Sequence, residues 1–110
     1  MKVAIIGSRN LTVNNPGDYL PPDTDEIISG GAKGIDSCAR KYALEHGLKL
    51  TEFLPEYEKY GKAAPIIRNK LIVEAAQLVL AFWDGKSRGT RYTIEYAEKL
   101  GIEVKVIMFN

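Results

Sequence analysis

The amino-acid sequence predicts an α/β fold, a Rossmann-like three-layer sandwich built on a mostly parallel five-stranded sheet. Three observations point to it. Short apolar runs rich in β-branched residues alternate with helical stretches along all 110 residues; three of those runs end in glycine-rich turns; and two of the helical stretches stop at a glycine. Such alternation implies βαβ units with helices on both faces of the sheet.

Val3–Ile6 is the first strand, closed by Gly7 and apolar enough to be buried on both faces. Leu11 to Asp25 follows, and with Asn14-Asn15-Pro16-Gly17 and Pro21-Pro22-Asp23 it is a loop holding at most a short helical turn. A connection of that length is either functional or a plain excursion across the surface. Glu26–Ser29 forms the second strand, and Gly30-Gly31-Ala32-Lys33-Gly34 leads into a helix from Ile35 to His46 that Gly47 stops. Leu48–Phe53 is the third strand. Pro55 to Gly61 is irregular and aromatic, and Pro65 starts a helix over Ala63–Ala76. Gln77–Trp83 is the fourth strand, Asp84 to Gly89 a turn, Thr90–Leu100 a helix ended by Gly101, and Ile102–Phe109 the fifth strand. Val3–Ile6 and Leu78–Phe82, the most continuously apolar runs, belong at the sheet centre. The core then holds Ile5, Ile28, Ala39, Leu71, Val79 and Ile94.

Length and composition set limits on function. One domain spanning residues 1–110 is expected, with 45% hydrophobic and 26% charged residues as in an ordinary globular chain. Fifteen Lys and Arg against fourteen Asp and Glu give a formal charge of +1, without the basic excess on which general nucleic-acid binding draws. Any nucleic-acid role is therefore local. The single cysteine, Cys38, forms no internal disulfide, and no apolar run approaches the roughly 20 residues that cross a bilayer. The run Val3–Ile6 is too short for a secretory signal, so a cytoplasmic protein with no membrane partner is expected. One His and one Cys are too few for a zinc site, and no cofactor is implied.

In a parallel sheet the strand-to-helix turns share one edge, and ligands bind where neighbouring connections diverge. Here those turns are Gly7-Ser8-Arg9-Asn10, Ser29-Gly30-Gly31-Ala32-Lys33-Gly34 and Asp84-Gly85-Lys86-Ser87-Arg88-Gly89-Thr90. Each combines glycine, a hydroxyl and a cation. Glycines let the backbone approach closely, and free N–H groups at a helix start carry partial positive charge, which together suit an anion such as phosphate. Lys33, Arg88 and Arg91 lie near helix starts, where a cation is disfavoured by about 0.3–1 kcal/mol and a bound anion would reverse the sign. Arg68, beside Asn69 in the first turns after Pro65, repeats the conflict; its loss is expected to weaken binding while leaving folding nearly unchanged. Neither a P-loop nor a complete Gly-x-Gly-x-x-Gly fingerprint is present, so dehydrogenase chemistry is not supported.

Gly7-Ser8-Arg9, Ser29-Gly30-Gly31-Ala32-x-Gly34-x-Asp36, Tyr60-Gly61-Lys62-Ala63-Ala64 running to Arg68-Asn69, and Phe82-Trp83-Asp84-Gly85 leading to Gly89-Thr90 resemble the SLOG superfamily, and within it the YspA-like branch. The resemblance spans nearly the whole chain. It implies a Rossmann-like fold that binds nucleotide-related ligands, with a homodimer through a helix face. The superfamily includes DNA-processing protein A and the "lonely guy" phosphoribohydrolases. Those hydrolases carry Pro-Gly-Gly-x-Gly-Thr-x-x-Glu, whose glutamate works beside an arginine at the glycosidic bond. This chain departs from them, because Thr93 stands third after Thr90 and Glu95 lies two residues further, about 200° around the helix.

The expected ligand site therefore comprises Gly7, Ser8, Arg9, Gly30, Gly31, Lys33, Gly34, Asp36, Arg68, Asn69, Asp84, Gly89 and Thr90, with a nucleotide-like small molecule as partner. Catalytic residues are not identified. An enzyme acting at an N-glycosidic or phosphate bond would use Arg68 with Asp36 or Asp84, and a single-stranded nucleic-acid module would use the same turns on backbone phosphates. Asp36 either accepts from a ribose hydroxyl or stabilises a helix start. Trp83 either stacks on a base or packs at the rim. Tyr57 and Tyr60 form a lid or merely cover a loop, Cys38 is a small packing residue, and His46 is solvated.

Overall fold

The structure is a computed structural model describing residues 1–109. Strands β1 (Lys2–Gly7), β2 (Glu26–Ser29), β3 (Lys49–Glu52), β4 (Leu78–Trp83) and β5 (Glu103–Met108) form one sheet in the order β3-β2-β1-β4-β5. Every pairing is parallel. The helices are α1 (Ile35–Glu45), α2 (Tyr57–Tyr60), α3 (Ala64–Ala75) and α4 (Arg88–Lys99). The apolar runs chosen for the centre are there, with β1 between β2 and β4.

Side chains on successive strand residues point to opposite faces, and this alternation sorts the core into two layers. Val3, Ile5, Ile27, Leu78, Leu80 and Phe82 face α1, where Ile35, Ala39 and Ala43 meet them. Ala4, Ile6, Ile28, Val79 and Ala81 face α3 and α4, packing on Ile72, Val73, Ile94 and Ala97. The long connection from Leu11 to Asp25 supplies the remainder of the α1 layer. Its Leu11, Val13, Tyr19 and Leu20 lie on the sheet, and the Tyr19 ring stands edge-on to Phe82 with centroids 5.3 Å apart. A 3-10 turn at Pro16–Tyr19, capped by the Asn15 side chain, holds that segment in place. The loop covers the sheet where another fold would use a helix.

Three expectations need correction. Leu71 is 43% exposed instead of buried, because α3 is apolar almost all round and turns Ala64, Arg68, Ile72 and Val73 inward. The stretch from Pro55 to Gly61 is not irregular: α2 occupies Tyr57–Tyr60 and runs into a 3-10 turn at Gly61–Ala63. Helix α4 starts at Arg88, two residues before Thr90, because the Ser87 hydroxyl caps it by accepting from the Thr90 N–H. Among the described residues no helix is long and apolar enough to cross a membrane.

The chain leaves β1 toward the α1 face and leaves β4 toward the α4 face. A crevice therefore opens between the C-terminal ends of these two neighbouring strands. Phe82→Ala, which empties the contact between the sheet and Tyr19, is expected to destabilise the fold by about 3–5 kcal/mol. Leu71→Ala should change stability by only about 0.5 kcal/mol or less. Chemical denaturation of the two variants distinguishes them, and equal losses would contradict this packing.

Candidate ligand-binding site

The turns after β1 and β4 are stitched together at the crevice. Ser8 donates its N–H to the Phe82 carbonyl at 3.2 Å, and its Oγ accepts from the Asp84 N–H at 3.4 Å. Asp84 then organises the loop that follows, its Oδ1 accepting the N–H groups of Lys86 and Ser87, both at 2.8 Å. These two bonds hold its carboxyl below the usual carboxylate range, with smaller help from the Ser8 and Asn10 side chains. Trp83 donates its indole N–H to the Ser87 carbonyl at 3.0 Å and so braces the loop from behind. It is absent from the walls of the crevice. Ser87 caps the Thr90 N–H, leaving those of Arg88 and Gly89 without an intrahelical acceptor. At Gly89 the approach is open, since a Cβ there would meet nothing within 4 Å.

The third side of the crevice is built around Arg68, which projects from α3 beneath the turn after β2. Only 8% of it is exposed. Its Nη1 donates to the Gly30 carbonyl at 2.6 Å and the Phe53 carbonyl at 3.3 Å, and its Nε donates to Asn69 Oδ1 at 2.8 Å. Nη2 makes no hydrogen bond among the described residues and is not fully buried. Gly30 is required by this packing: a Cβ would collide with the guanidinium and come within 2.9 Å of Asp36 Oδ2. The same Oδ2 accepts the Ala32 N–H at 3.1 Å. Burial pushes the Asp36 carboxyl up, outweighing the Ala32 N–H, the Arg68 charge and the Ser29 hydroxyl. Burial also pushes the Arg68 guanidinium down, with the charge of Arg9 adding to that and Asp36 opposing it.

These walls enclose a cleft of about 550 Å³ that gathers Gly7, Ser8, Arg9, Asp36, Arg68, Asn69, Asp84, Gly89 and Thr90. Gly30, Gly31 and Lys33 line an adjoining cavity of about 380 Å³ that shares Arg9, Ala32 and Arg68 with it. Gly34 lines neither. It has φ +76° and packs against the backbone of Arg9, so its contribution is to seat one turn on the other. Asn10, Pro65, Ile72, Lys86, Ser87 and Thr93 also line the cleft, beyond the residues expected to form the site. A signal existed for Ser87, the serine three residues before Thr90. Ile72 and Pro65 carried none, because their place depends on how α3 rotates.

Apart from Thr93, which lines the cleft, the other candidates fall outside it. Arg91 pairs with Glu95 at 3.6 Å on the exposed face of α4, which answers its charge without an anion. Thr93, at the position of the hydrolase glutamate, is buried and donates its hydroxyl to the Gly89 carbonyl at 2.8 Å. Cys38 accepts the Val13 N–H at 3.4 Å and helps to seat the long loop. Tyr57 and Tyr60 are exposed and line neither cavity. His46 is exposed and stacks on Tyr42, its ring centroid 3.9 Å away.

A search of family models matches none to the chain. The gene 61 protein of Mycobacterium phage D29 is 38% identical over 84 aligned positions, which cover 71% of this chain and 67% of that protein. Among solved structures, DNA processing protein A (DprA) from Streptococcus pneumoniae aligns with a TM-score of 0.77 at 24% identity. That alignment covers 99% of this chain but only 50% of the other, so this chain spans half the length of that relative. The fold is thus a Rossmann-like α/β arrangement shared with that structure.

The bonds made by Arg68 overturn the expectation that it is dispensable for folding. Arg68→Ala leaves the Gly30 and Phe53 carbonyls without their donor, and each unpaired buried group costs about 1–3 kcal/mol. A melting temperature within error of wild type would contradict this. Asp36 gives a pH signature of definite sign. Its folded-state pKa lies above the ordinary 3.8, so the folded chain holds the proton more tightly than the unfolded chain in the window just above that value. The stability of wild type relative to Asp36→Asn should therefore rise as pH falls through the folded pKa toward 3.8. A relative stability that falls on acidification would mean that Asp36 is held ionised.

Proposed function

The chain belongs to the family of the gene 61 protein of Mycobacterium phage D29, and we propose that its cleft binds a nucleotide or nucleotide-derived ligand through phosphate, as a sensor or ligand-binding domain of the YspA-like branch. One observation carries the reading. Two guanidinium groups of opposite character meet at the same cleft: Arg68, fixed by protein carbonyls with one nitrogen to spare, and Arg9, exposed and without an ion pair among the described residues. The unspent N–H of Gly89 lines the same space. Charge-assisted bonds from such donors suit phosphate oxygens.

Binding without turnover is favoured by the state of the carboxylates. Asp84 is committed to two backbone N–H groups, Asp36 to one, and Thr93 stands where a hydrolase would place its glutamate. An enzyme of phosphoribohydrolase type would need a free carboxylate in the cleft. The likeness to DNA processing protein A supports a second reading, single-stranded nucleic acid on the same turns, with Arg9, Lys33 and Arg88 as exposed cations along one edge. A steep loss of affinity with salt is its mark. A cytoplasmic site of action and a homodimer through a helix face complete the proposal.

Arg9→Ala and Gly89→Ala separate binding from stability. Arg9 is exposed, so its loss should shift stability by only about 0.5 kcal/mol or less while removing a charge-assisted contact of about 1.5–3 kcal/mol, roughly 10- to 150-fold in affinity. Gly89→Ala should stabilise the unliganded fold by up to about 1 kcal/mol, since alanine is the better helix former and nothing obstructs it. The new methyl group should nevertheless weaken binding at the helix start. Thermal-shift titration with nucleoside monophosphates measures both quantities. Ligand shifts that survive in both variants would place the site elsewhere.

A further inference from the structure

The two edges of the sheet carry their charges differently. At β3, Lys49 lies 3.7 Å from Glu26 and Glu52 lies 3.0 Å from Arg40, so both charges are answered within the chain. At β5, Glu103 and Lys105 are exposed, and neither makes an ion pair among the described residues. Half of the β5 backbone is unspent as well. This strand of six residues pairs with β4 alone, and along a strand the N–H and C=O groups of successive residues point to alternate sides. Phe109 donates its N–H to the Trp83 carbonyl at 2.9 Å, which fixes the alternation. Glu103, Lys105 and Ile107 therefore bond toward β4, while Val104, Val106 and Met108 turn their backbone groups outward. The side chains of Val106 and Met108 are exposed too. An edge with such a row of unpaired groups is a template for another strand.

We infer that a second copy of this chain docks on this edge, its β5 antiparallel to the first about a twofold axis at Val104, so that the two sheets join into one. Two conditions select this register. Antiparallel neighbours bond only where opposite residues both turn their backbone groups toward each other, so Val104 can face Ile102, Val104, Val106 or Met108 of the other copy. Facing Ile102 sets Glu103 opposite Glu103, and facing Val106 sets Lys105 opposite Lys105. Like charges directly opposite are destabilising, and facing Met108 brings no charges together. Only with Val104 facing itself does Glu103 of each copy stand opposite Lys105 of the other, with Ile102 opposite Val106. The two Val104 residues then exchange a pair of hydrogen bonds, and each Val106 N–H donates to the Ile102 carbonyl across the axis. The contact is isologous, as a closed dimer requires. No residue of β5 lines the cleft, so this inference stands apart from the nucleotide reading, and it differs from a helix-face homodimer in using backbone groups.

The test is sedimentation equilibrium of the wild type, of Glu103→Lys, of Lys105→Glu, of an equimolar mixture of those two variants, and of Val106→Pro. The wild type should assemble with rising concentration to twice the monomer mass of 12.2 kDa. Either charge variant sets like charges opposite each other at two places in the interface and should weaken the dimer by about tenfold or more. In the mixture opposite charges face each other again, so a heterodimer should form with nearly wild-type affinity. Val106→Pro removes an N–H that has no acceptor within the chain, so the fold should persist, as circular dichroism checks, while the dimer is lost. If that variant does not fold, the charge variants, at exposed positions, still decide the matter. A wild type that stays monomeric at its highest soluble concentration overturns the inference. So does a dimer that survives in folded Val106→Pro or is unchanged in both charge variants. Charge variants that stay apart when mixed overturn the register.

Discussion

The guanidinium of Arg68, buried against two backbone carbonyls, is the interaction on which the functional edge of the molecule depends. It joins the turn after β2, through the carbonyl of Gly30, to the end of β3, through that of Phe53, and anchors both to α3. A lysine could not substitute, because a single ammonium has no planar fork with which to meet separated acceptors while holding Asn69 through Nε. The arrangement also dictates its neighbours. Gly30 must lack a Cβ, and Asp36, close enough to ease the buried charge, is itself made harder to ionise by the same burial. On the proposed reading, folding and ligand binding draw on one side chain.

Around that anchor the topology does the rest. With β1 central and its chain departing to the face opposite α4, the crevice lies between β1 and β4, and Ser8 ties the two strand ends together across it. Asp84 and Ser87 then use local side-chain bonds to bring α4 to the crevice with N–H groups unspent. In the proposed site, rigid donors on Arg68 and α4 would be complemented by exposed Arg9, which could turn onto a bound anion. A preorganised part lowers the ordering cost of binding, and an adaptable part tolerates ligands of different length.

Much of this was legible in the sequence, and the exceptions have physical causes. The identity of the two central strands followed from apolar continuity in Val3–Ile6 and Leu78–Phe82, because a strand covered on both faces has no polar position. The gathering of the three turns followed from parallel topology alone. What could not be read was rotation and side-chain commitment. In α3 the apolar residues Ile66, Ile67, Leu71, Ile72 and Val73 surround the helix, so nothing in their spacing told that Arg68 faces inward while Leu71 faces out. Its first turn holds no side-chain cap to betray the cation's true partners, which are carbonyls distant in sequence. The division of the site into two compartments was equally hidden, since Leu54 joins it through the packing of the segment after β3 onto Gly31.

The central claim, a guanidinium held by the protein with one nitrogen offered to an anion, is tested most directly by side-chain nitrogen NMR of the arginines. In the unliganded protein Arg68 should show separate, slowly exchanging Nη resonances, while exposed Arg9 and Arg88 show averaged ones. Addition of a nucleotide should shift the Nη2 signals of Arg68 and leave its Nη1 signals, which stay on the Gly30 and Phe53 carbonyls, nearly in place. Averaged Arg68 resonances that do not respond to nucleotide would contradict the account.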